Sequence, residues 1–165
     1  MTLVAIPPAG IDLWEVLTMA TTGYTHILLA VDFSPSTEST AQRAVELMDR
    51  YGARLSMIHV VEYLPIALDA ELMLPPMTGM EEQLMESGRR HLAELAAKLG
   101  VNEASRYVEL GSTKLEIPRV AEAQGVDLIV VGSHGRHGLA RMLGSSASAV
   151  LHGAHCDVLA VRAAG

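Results

Sequence analysis

The segment DLIVVGSHGRHGLARMLGSS, residues 127–146, passes from an apolar run through a glycine-rich stretch to a pair of serines. A short run of Leu, Ile and Val is typical of a strand that is buried on both faces of a parallel sheet. The serines predict the start of a helix, because Ser is favoured where helices begin. The glycines between strand and helix predict a place where backbone amides can approach a ligand closely, since glycine has no side chain to cover them.

On both sides of this segment the chain alternates strand-like and helix-like stretches. Strands are predicted at residues 26–31, 54–61, 106–110, 127–131 and 157–162. Helices are predicted at residues 35–51, 81–99, 113–124 and 145–152. Strands that alternate with helices form a parallel sheet with helices on both faces, so the predicted fold class is a doubly wound, five-stranded α/β domain.

Two of the helix starts carry sequence signals of their own. Ser34 followed by Pro35 predicts a cap with proline at the first helical position. Thr113 with Glu116 matches a capping box, in which each side chain bonds to the backbone of the other residue. Pro118 then falls inside the predicted helix and predicts a kink or a later start, because proline removes a backbone donor.

A length of 165 residues suits one domain. Residues 1–22 show no useful periodicity and are interpreted as an N-terminal extension, either disordered or loosely docked, and residues 23–165 as the domain. The start of the chain lacks the features of a signal peptide, and no apolar run is long enough for a membrane span. A single cysteine, Cys156, calls for no oxidising compartment, so a cytoplasmic protein without a membrane partner is expected.

The net charge of −7 argues against a nucleic acid as the main partner, because such proteins usually carry a basic stripe. A small anion remains compatible with this charge if backbone amides hold it. In an open parallel sheet, ligands bind at the carboxyl ends of the strands. Gly132 lies at such an end, and the helix start at Ser145 and Ser146 offers free amides and the positive end of a helix dipole. These residues predict a phosphate cradle, with a divalent ion assisting.

Two common phosphate-binding motifs are missing from the sequence. No GxxxxGK[ST] string occurs, and Gly144 is followed by Ser145 and not by lysine. The GxGxxG fingerprint of dinucleotide-binding domains should follow the first strand, but Asp32-Phe33-Ser34-Pro35 stands there. An HxGH string, expected of nucleotide-activating enzymes on related folds, is also missing. The enzyme classes that carry these motifs are therefore disfavoured.

The sequence resembles the universal stress protein family. The resemblance runs from Tyr24 to Arg162 and is carried by HILLAVDFSPST (26–37), IHVVE (58–62), GVDLIVVGSHGRHGL (125–139) and GSSASAVLHGAHCDVLAVR (144–162). It implies a Rossmann-like sheet of order 3-2-1-4-5 and a homodimer formed through the last strand, residues 157–162. It also implies that the protein is either an ATP-binding or a non-binding member of the family.

In ATP-binding members a G-x2-G-x9-G-[S/T] pattern surrounds the nucleotide, and the resemblance implies the corresponding roles here. Gly132, Gly135, Gly144 and Ser145 would line the phosphates and ribose, beside Ser146 at the start of the helix. Asp32 would face the ribose or adenine, and the backbone of Val60 would meet the adenine. The chain departs from the pattern in one respect, because eight residues, and not nine, separate Gly135 from Gly144.

Two functions from different classes follow from this reading. The first is a cytosolic stress-response protein that binds ATP as a regulatory ligand and, lacking an identifiable general base or catalytic lysine, hydrolyses it slowly at most. The second is a homodimeric interaction module with a vestigial pocket, which the eight-residue spacing favours. Catalytic residues and a metal site are not expected, although the pairs His134/His137 and His152/His155 have spacings that can bind zinc.

Overall fold

The computed structural model describes residues 23–62, 79–133 and 144–162. Its strands are β1 (His26–Ala30), β2 (Arg54–Val61), β3 (Ser105–Leu110), β4 (Leu128–Gly132) and β5 (Asp157–Val161). Its helices are α1 (Thr37–Tyr51), α2 (Met80–Leu99), α3 (Thr113–Ala123) and α4 (Ser145–Gly153). The predicted extension, residues 1–22, lies outside the described residues. None of the helices in the described ranges is both long and apolar enough to cross a bilayer.

The five strands form one parallel sheet in the order β3-β2-β1-β4-β5. This confirms the predicted fold class and strand order, and every strand boundary lies within one residue of its predicted position. β1 occupies the centre, with β2 on one side and β4 on the other. The strand order reverses at β1, so the crevice between β1 and β4 is where such a sheet is expected to bind a ligand.

Side chains that alternate along the central strands build a separate core on each face of the sheet. One core contains Ile27 and Leu29 of β1, packed against the faces of α1 and α2. The other contains Leu28 of β1, packed against α3 and α4. Both faces of β1 are therefore buried, which explains why its sequence is a continuous apolar run.

Helix α2 lies close to the sheet because it presents a glycine there. A Cβ atom added at Gly88 would come within 3.1 Å of both the His59 ring and a Val108 methyl group. Leu92 and Ala96 are the other fully buried residues of this face. Leu84, one turn before Gly88, is 40% exposed, so the buried face of the helix begins at Gly88.

The predicted start of α1 at Pro35 is wrong by two residues. The Asp32 carboxylate accepts a hydrogen bond from the Ser34 amide at 3.0 Å, and the Ser34 carbonyl accepts one from the Thr37 amide at 2.9 Å. These two bonds form a turn between β1 and α1. The helix consequently begins at Thr37, after the turn has closed.

The predicted capping box at α3 is also wrong. Thr113 is the first helical residue, and both its amide and its hydroxyl donate to the Glu62 carboxylate, each at 2.8 Å. The Glu116 carboxylate instead accepts from Arg119 at 2.7 Å. Pro118 lies inside the continuous helix, so the later start that it suggested is not observed. The acceptor at this helix start comes from a residue far away in the sequence, which no local pattern reveals.

A group of paired polar side chains closes the amino-terminal edge of the sheet. The Asp127 carboxylate accepts from the amide and hydroxyl of Thr25 and from the His26 amide, at 2.6–3.0 Å. The buried His26 ring lies 2.8 Å from the Arg54 guanidinium and 2.7 Å from the Ser56 hydroxyl. Nδ1 of His26 also lies 3.1 Å from the Gln124 carbonyl, so this nitrogen faces both a donor and an acceptor, and Nε2 faces a hydroxyl that can donate or accept.

The pKa values in this group differ from the usual ones for identifiable reasons. Burial lowers the pKa of His26, and the charge of Arg54 lowers it further. Burial alone would raise the pKa of Asp127, but the hydrogen bonds from Thr25 and His26 outweigh that effect and lower it. At neutral pH the folded protein therefore holds a neutral imidazole and an ionised carboxylate here.

We predict that His26 makes the fold sensitive to mild acid. Below pH about 6.5 the unfolded chain protonates this histidine while the folded chain resists protonation, so the free energy of unfolding falls as the pH falls. One such group contributes at most about 1.4 kcal/mol per pH unit. Urea unfolding of the wild type and His26→Gln at pH 7.5 and 5.5 should show a smaller loss of stability in the variant.

Between pH 8.5 and 7.5, above the range of this titration, the difference in stability between the two proteins should stay constant. Measurement at pH 5.5 keeps the comparison above the usual range of carboxylates, so that Asp127 does not contribute. An equal loss of stability in both proteins between pH 7.5 and 5.5 would contradict the assignment to His26.

Candidate functional site

A cleft of about 250 Å³ opens at the carboxyl-terminal edge of the sheet, where the strand order reverses. It is lined by the ends of three strands and by the first turns of two helices. The lining residues are Ala30, Val31, Asp32, Ile58, Val60, Thr113, Ile117, Val131, Gly132, Gly144, Ser145, Ser146 and Ala147.

The cleft exists because β1 and β4 turn to different neighbours beyond their paired residues. Their register ends at Leu29 and Val130. The Val31 amide donates to the Ile58 carbonyl of β2 at 2.8 Å, and the Ser133 amide donates to the Val161 carbonyl of β5 at 2.7 Å. Each strand end is thus held by its outer neighbour, and the space between the two ends stays open.

Six of the seven residues predicted for the site line this one cleft: Asp32, Val60, Gly132, Gly144, Ser145 and Ser146. They come from four different elements and connections, so only the fold brings them together. The seventh, Gly135, lies outside the described residues, as do His134 and His137. The structure thus brings six of the predicted residues together at one edge of the sheet, and their binding roles stay a prediction.

One end of the cleft is the start of helix α4. Gly144, and not a serine as predicted, is the N-cap, and Ser145 is the first helical residue. The Gly144 carbonyl accepts from the Ser148 amide at 2.9 Å, which begins the helical hydrogen-bond pattern. The amides of Ser145, Ser146 and Ala147 have no acceptor within the helix, and a glycine cap has no side chain to supply one. This helix start can therefore donate hydrogen bonds to an anion.

The start of α4 is held in place by Ser133, the residue that follows β4. The Ser133 carbonyl accepts a hydrogen bond from the Gly144 amide at 2.8 Å. Ser133 itself is buried, and its amide is bonded to β5. The two residues that flank the segment 134–143 are thus joined to each other. The number of residues between them does not by itself decide where Gly144 lies.

The other end of the cleft is apolar. Ala30, Ile58, Val60 and Ile117 line it, and they belong to the core on the α3 and α4 face of the sheet. An apolar wall beside a few polar groups is the usual composition of a site for a small organic ligand. The two ends together fit a molecule with an anionic part and a flat apolar part.

Asp32 lies at the cleft, although part of its carboxylate is used locally. Its Oδ1 accepts from the Ser34 amide at 3.0 Å and from the Thr37 hydroxyl at 3.1 Å. Within the described ranges, Oδ2 has no such partner and can accept from a ligand. Asp32 thus stabilises the turn before α1 through one oxygen and keeps the other for the ligand contact that the family resemblance implies.

Phe33 adopts a backbone conformation that is rare for a residue with a side chain, with φ of 54°. Its ring packs against His59 at 4.5 Å and against His91 at 5.2 Å between ring centroids. His59 Nδ1 lies 2.8 Å from the Val31 carbonyl. These contacts hold the chain in the sharp bend that turns Asp32 towards the cleft.

Comparison with known proteins identifies the family. The family model described as the universal stress protein family matches residues 23–162. The chain is 40% identical to universal stress protein A homolog 1 of Coxiella burnetii over 138 residues, which is 84% of this chain and 96% of that protein. The chain belongs to the universal stress protein family.

Solved structures of universal stress proteins share the fold. The structure of UspA from Lactobacillus plantarum matches with a TM-score of 0.64 and 26% identity, covering 84% of this chain and 98% of that one. A universal stress protein crystallised in complex with cAMP matches with a TM-score of 0.59 and 22% identity, covering 87% of this chain and 100% of that one. The second likeness is evidence for the fold alone.

The cleft of this universal stress protein contains residues that the sequence did not nominate. Thr113 and Ile117 of α3, Ile58 of β2 and Ala147 of α4 all line it. Ile58 could have been found, because it lies two residues before Val60 on the same side of β2. Thr113 and Ile117 could not, since nothing local shows that α3 begins beside the end of β2.

The remaining reactive side chains form no second site in the described residues. Burial raises the pKa of the Cys156 thiol, and the charges of Asp127 and Asp157 raise it further. The thiol is therefore protonated at neutral pH and is a poor nucleophile. Within the described ranges, no group of three or more His, Cys, Asp or Glu side chains is placed to hold a metal ion.

Proposed function

We propose that this universal stress protein binds an adenine nucleotide, ATP, as a regulatory ligand in a stress response. The observation that supports the proposal most is the cleft with two unlike ends, an uncapped helix start and an apolar wall. A helix start binds phosphate through its amides and its dipole, without requiring positive side chains. A protein with a net charge of −7 can hold a polyphosphate in this way.

The proposed roles follow from the two ends of the cleft. Gly132, Gly144, Ser145 and Ser146 face the phosphates and ribose, together with Gly135 from the segment outside the described residues. The Oδ2 atom of Asp32 accepts from a ribose hydroxyl or an exocyclic amine. The adenine packs among Ala30, Ile58, Val60 and Ile117, with the backbone of Val60 at its edge.

A divalent ion, Mg²⁺, would neutralise part of the phosphate charge. Most of the ligands of this ion would be oxygen atoms of the phosphates themselves. The ATP then acts by favouring one conformation or partner over another, which requires different affinities for the two states. We place the protein in the cytoplasm, since its single cysteine suits a reducing compartment.

We predict that Ser146→Asp abolishes ATP binding while the fold persists. A carboxylate in the first turn of α4 places a negative charge where the phosphates would lie, and the same charge favours the helix dipole. Calorimetric titration of the nucleotide-free protein with MgATP should show binding in the wild type and at least a tenfold weaker affinity in the variant. The temperature of unfolding should be unchanged or slightly higher.

Asn102→Asp is the matched control, because it adds the same charge at an exposed position before β3, at the opposite edge of the sheet. It should bind MgATP with wild-type affinity. If the wild type does not bind MgATP at millimolar concentration, the nucleotide proposal fails. The same fold would then act as a homodimeric interaction module with a vestigial pocket.

We also propose that the protein is a homodimer formed through β5. This strand lies at the edge of the sheet, next to β4 alone. The Asp157 amide and the Val161 carbonyl point towards β4, since they are bonded to Asp127 and Ser133. Residues of a strand alternate in direction, so the amides of Val158 and Ala160 point away from β4. A second copy of β5 can pair with these outward groups.

We predict that Ala160→Pro converts the dimer to a monomer. Proline removes the outward amide of residue 160 but no hydrogen bond to β4, and the Ala160 side chain is exposed. Ala160→Val keeps the amide and favours the strand, so it should remain dimeric. Sedimentation equilibrium gives the mass of each variant, and a dimeric Ala160→Pro protein would place the interface elsewhere.

A further inference from the structure

Thr113 is the polar side chain at the apolar end of the cleft. It lies one turn before Ile117 on α3, so the two residues share the face of the helix that lines the cleft. The other polar side chains that line the cleft, Asp32, Ser145 and Ser146, follow β1 or begin α4. A flat ring packed on Ile117 therefore has Thr113 as its neighbour on this helix.

The hydrogen-bonding character of this hydroxyl is fixed by Glu62. The Thr113 hydroxyl and amide both donate to Oε1 of Glu62, each at 2.8 Å. A carboxylate only accepts hydrogen bonds, so the hydroxyl hydrogen must point to Glu62. The hydroxyl oxygen then has only lone pairs to offer to anything else. A threonine hydroxyl is normally free to donate or accept, and this one is restricted to accepting.

We propose that Thr113, positioned by Glu62, determines which base the cleft accepts. A hydrogen-bond acceptor at the edge of a bound ring accepts from an amino group, but it repels a carbonyl oxygen because both atoms are acceptors. The site therefore selects a purine that carries an amino group, as adenine does at position 6, over one that carries a keto group there, as guanine does. This inference rests on the proposed function, since it presupposes that a purine nucleotide occupies the cleft.

The same pair of residues prevents an anion from binding at the start of α3. Two helices begin at this edge of the sheet, and either start could attract a phosphate. The Glu62 carboxylate already accepts the first amide of α3 and brings a negative charge to that position. The start of α4 has a glycine cap and no such carboxylate from its cap residue. Glu62 therefore favours phosphate binding at the start of α4, with the ring packed against α3.

The size of the discrimination follows from unpaired polar groups. An amino group that finds the acceptor gains a hydrogen bond, and a keto oxygen forced against it leaves two acceptors without donors. Sites that depend on such a bond reject the mismatched ligand far more strongly than apolar contacts alone do. We expect a preference for ATP over GTP of at least about tenfold.

The test is calorimetric titration of the full-length protein with MgATP and with MgGTP. The wild type should bind ATP at least about tenfold more tightly than GTP. Thr113→Val removes the acceptor but keeps the shape of the side chain. The affinity for MgATP should fall about fivefold, and the preference for ATP over GTP should fall to about twofold or less. Thr113→Ser keeps the hydroxyl and should keep the preference.

Glu62→Ala provides a second readout. Without the carboxylate the Thr113 hydroxyl can rotate and donate to a keto group, so GTP should gain affinity relative to ATP although Thr113 is unchanged. Its unfolding temperature is expected to fall, because α3 loses the acceptor at its first amide. If this variant does not fold, the Thr113→Val and Thr113→Ser comparison still decides the question.

The outcomes separate the two proposals. A wild type that binds neither nucleotide rejects the proposed function and this inference with it. A wild type that binds ATP and GTP equally, or a Thr113→Val variant that keeps the wild-type preference, overturns the role of Thr113 and leaves nucleotide binding intact. Loss of the preference in Thr113→Val with its retention in Thr113→Ser supports the role.

Discussion

The position of the candidate site depends on two main-chain hydrogen bonds at Ser133. Its amide ties the end of β4 to Val161 of β5, and its carbonyl receives the amide of Gly144, the cap of α4. The open amides of α4 are thereby held against the rigid centre of the sheet. Because the bonds use backbone atoms alone, they constrain the site without depending on the chemistry of the side chains around it. The departure from the family's glycine spacing lies between the two residues that this contact joins.

The two helix starts at the cleft show how the same local structure can serve opposite purposes. Both α3 and α4 begin at the carboxyl-terminal edge, and both have amides without acceptors inside the helix. At α3 the Glu62 carboxylate satisfies the first amide, which stabilises the helix and closes that position to anions. At α4 a glycine stands at the cap, and within the described ranges no side chain caps the first amides. A glycine cap is less stabilising than Ser, Thr, Asn or Asp by only about a few tenths of a kcal/mol, so this helix start remains stable without a side-chain acceptor.

The sequence predicted the fold almost completely, because the signals for it are local. Each buried strand is a short apolar run bounded by polar or glycine residues, and each helix has its own periodicity, as Leu92 and Ala96 show for α2. The two errors at helix starts have different causes, one distant in the sequence and one local. Thr113 looked like half of a capping box with Glu116, but its acceptor is Glu62, which lies 51 positions away in the sequence. Asp32 delayed the start of α1 through a turn that the Ser34-Pro35 signal does not encode. The glycines lie at the edge of the cleft, but its apolar wall depends on which helix packs beside β2.

In the residues that the structure describes, the hydrogen bonds at the two ends of the central strands run to different neighbours, and this difference explains where the cleft opens. At the amino-terminal edge, the carboxylate of Asp127, the residue before β4, accepts hydrogen bonds from Thr25 and His26 at the start of β1. These bonds hold the two central strands together. At the carboxyl-terminal edge, Val31 is bonded to β2 and Ser133 to β5, so the same strands are drawn apart. Reversal of strand order at β1 requires some separation of this kind, since the chain leaves β1 and β4 towards opposite faces of the sheet. The ties at the amino-terminal edge keep that separation local, and the sheet opens only where the amides of α4 and the apolar face of α3 can both reach a bound molecule.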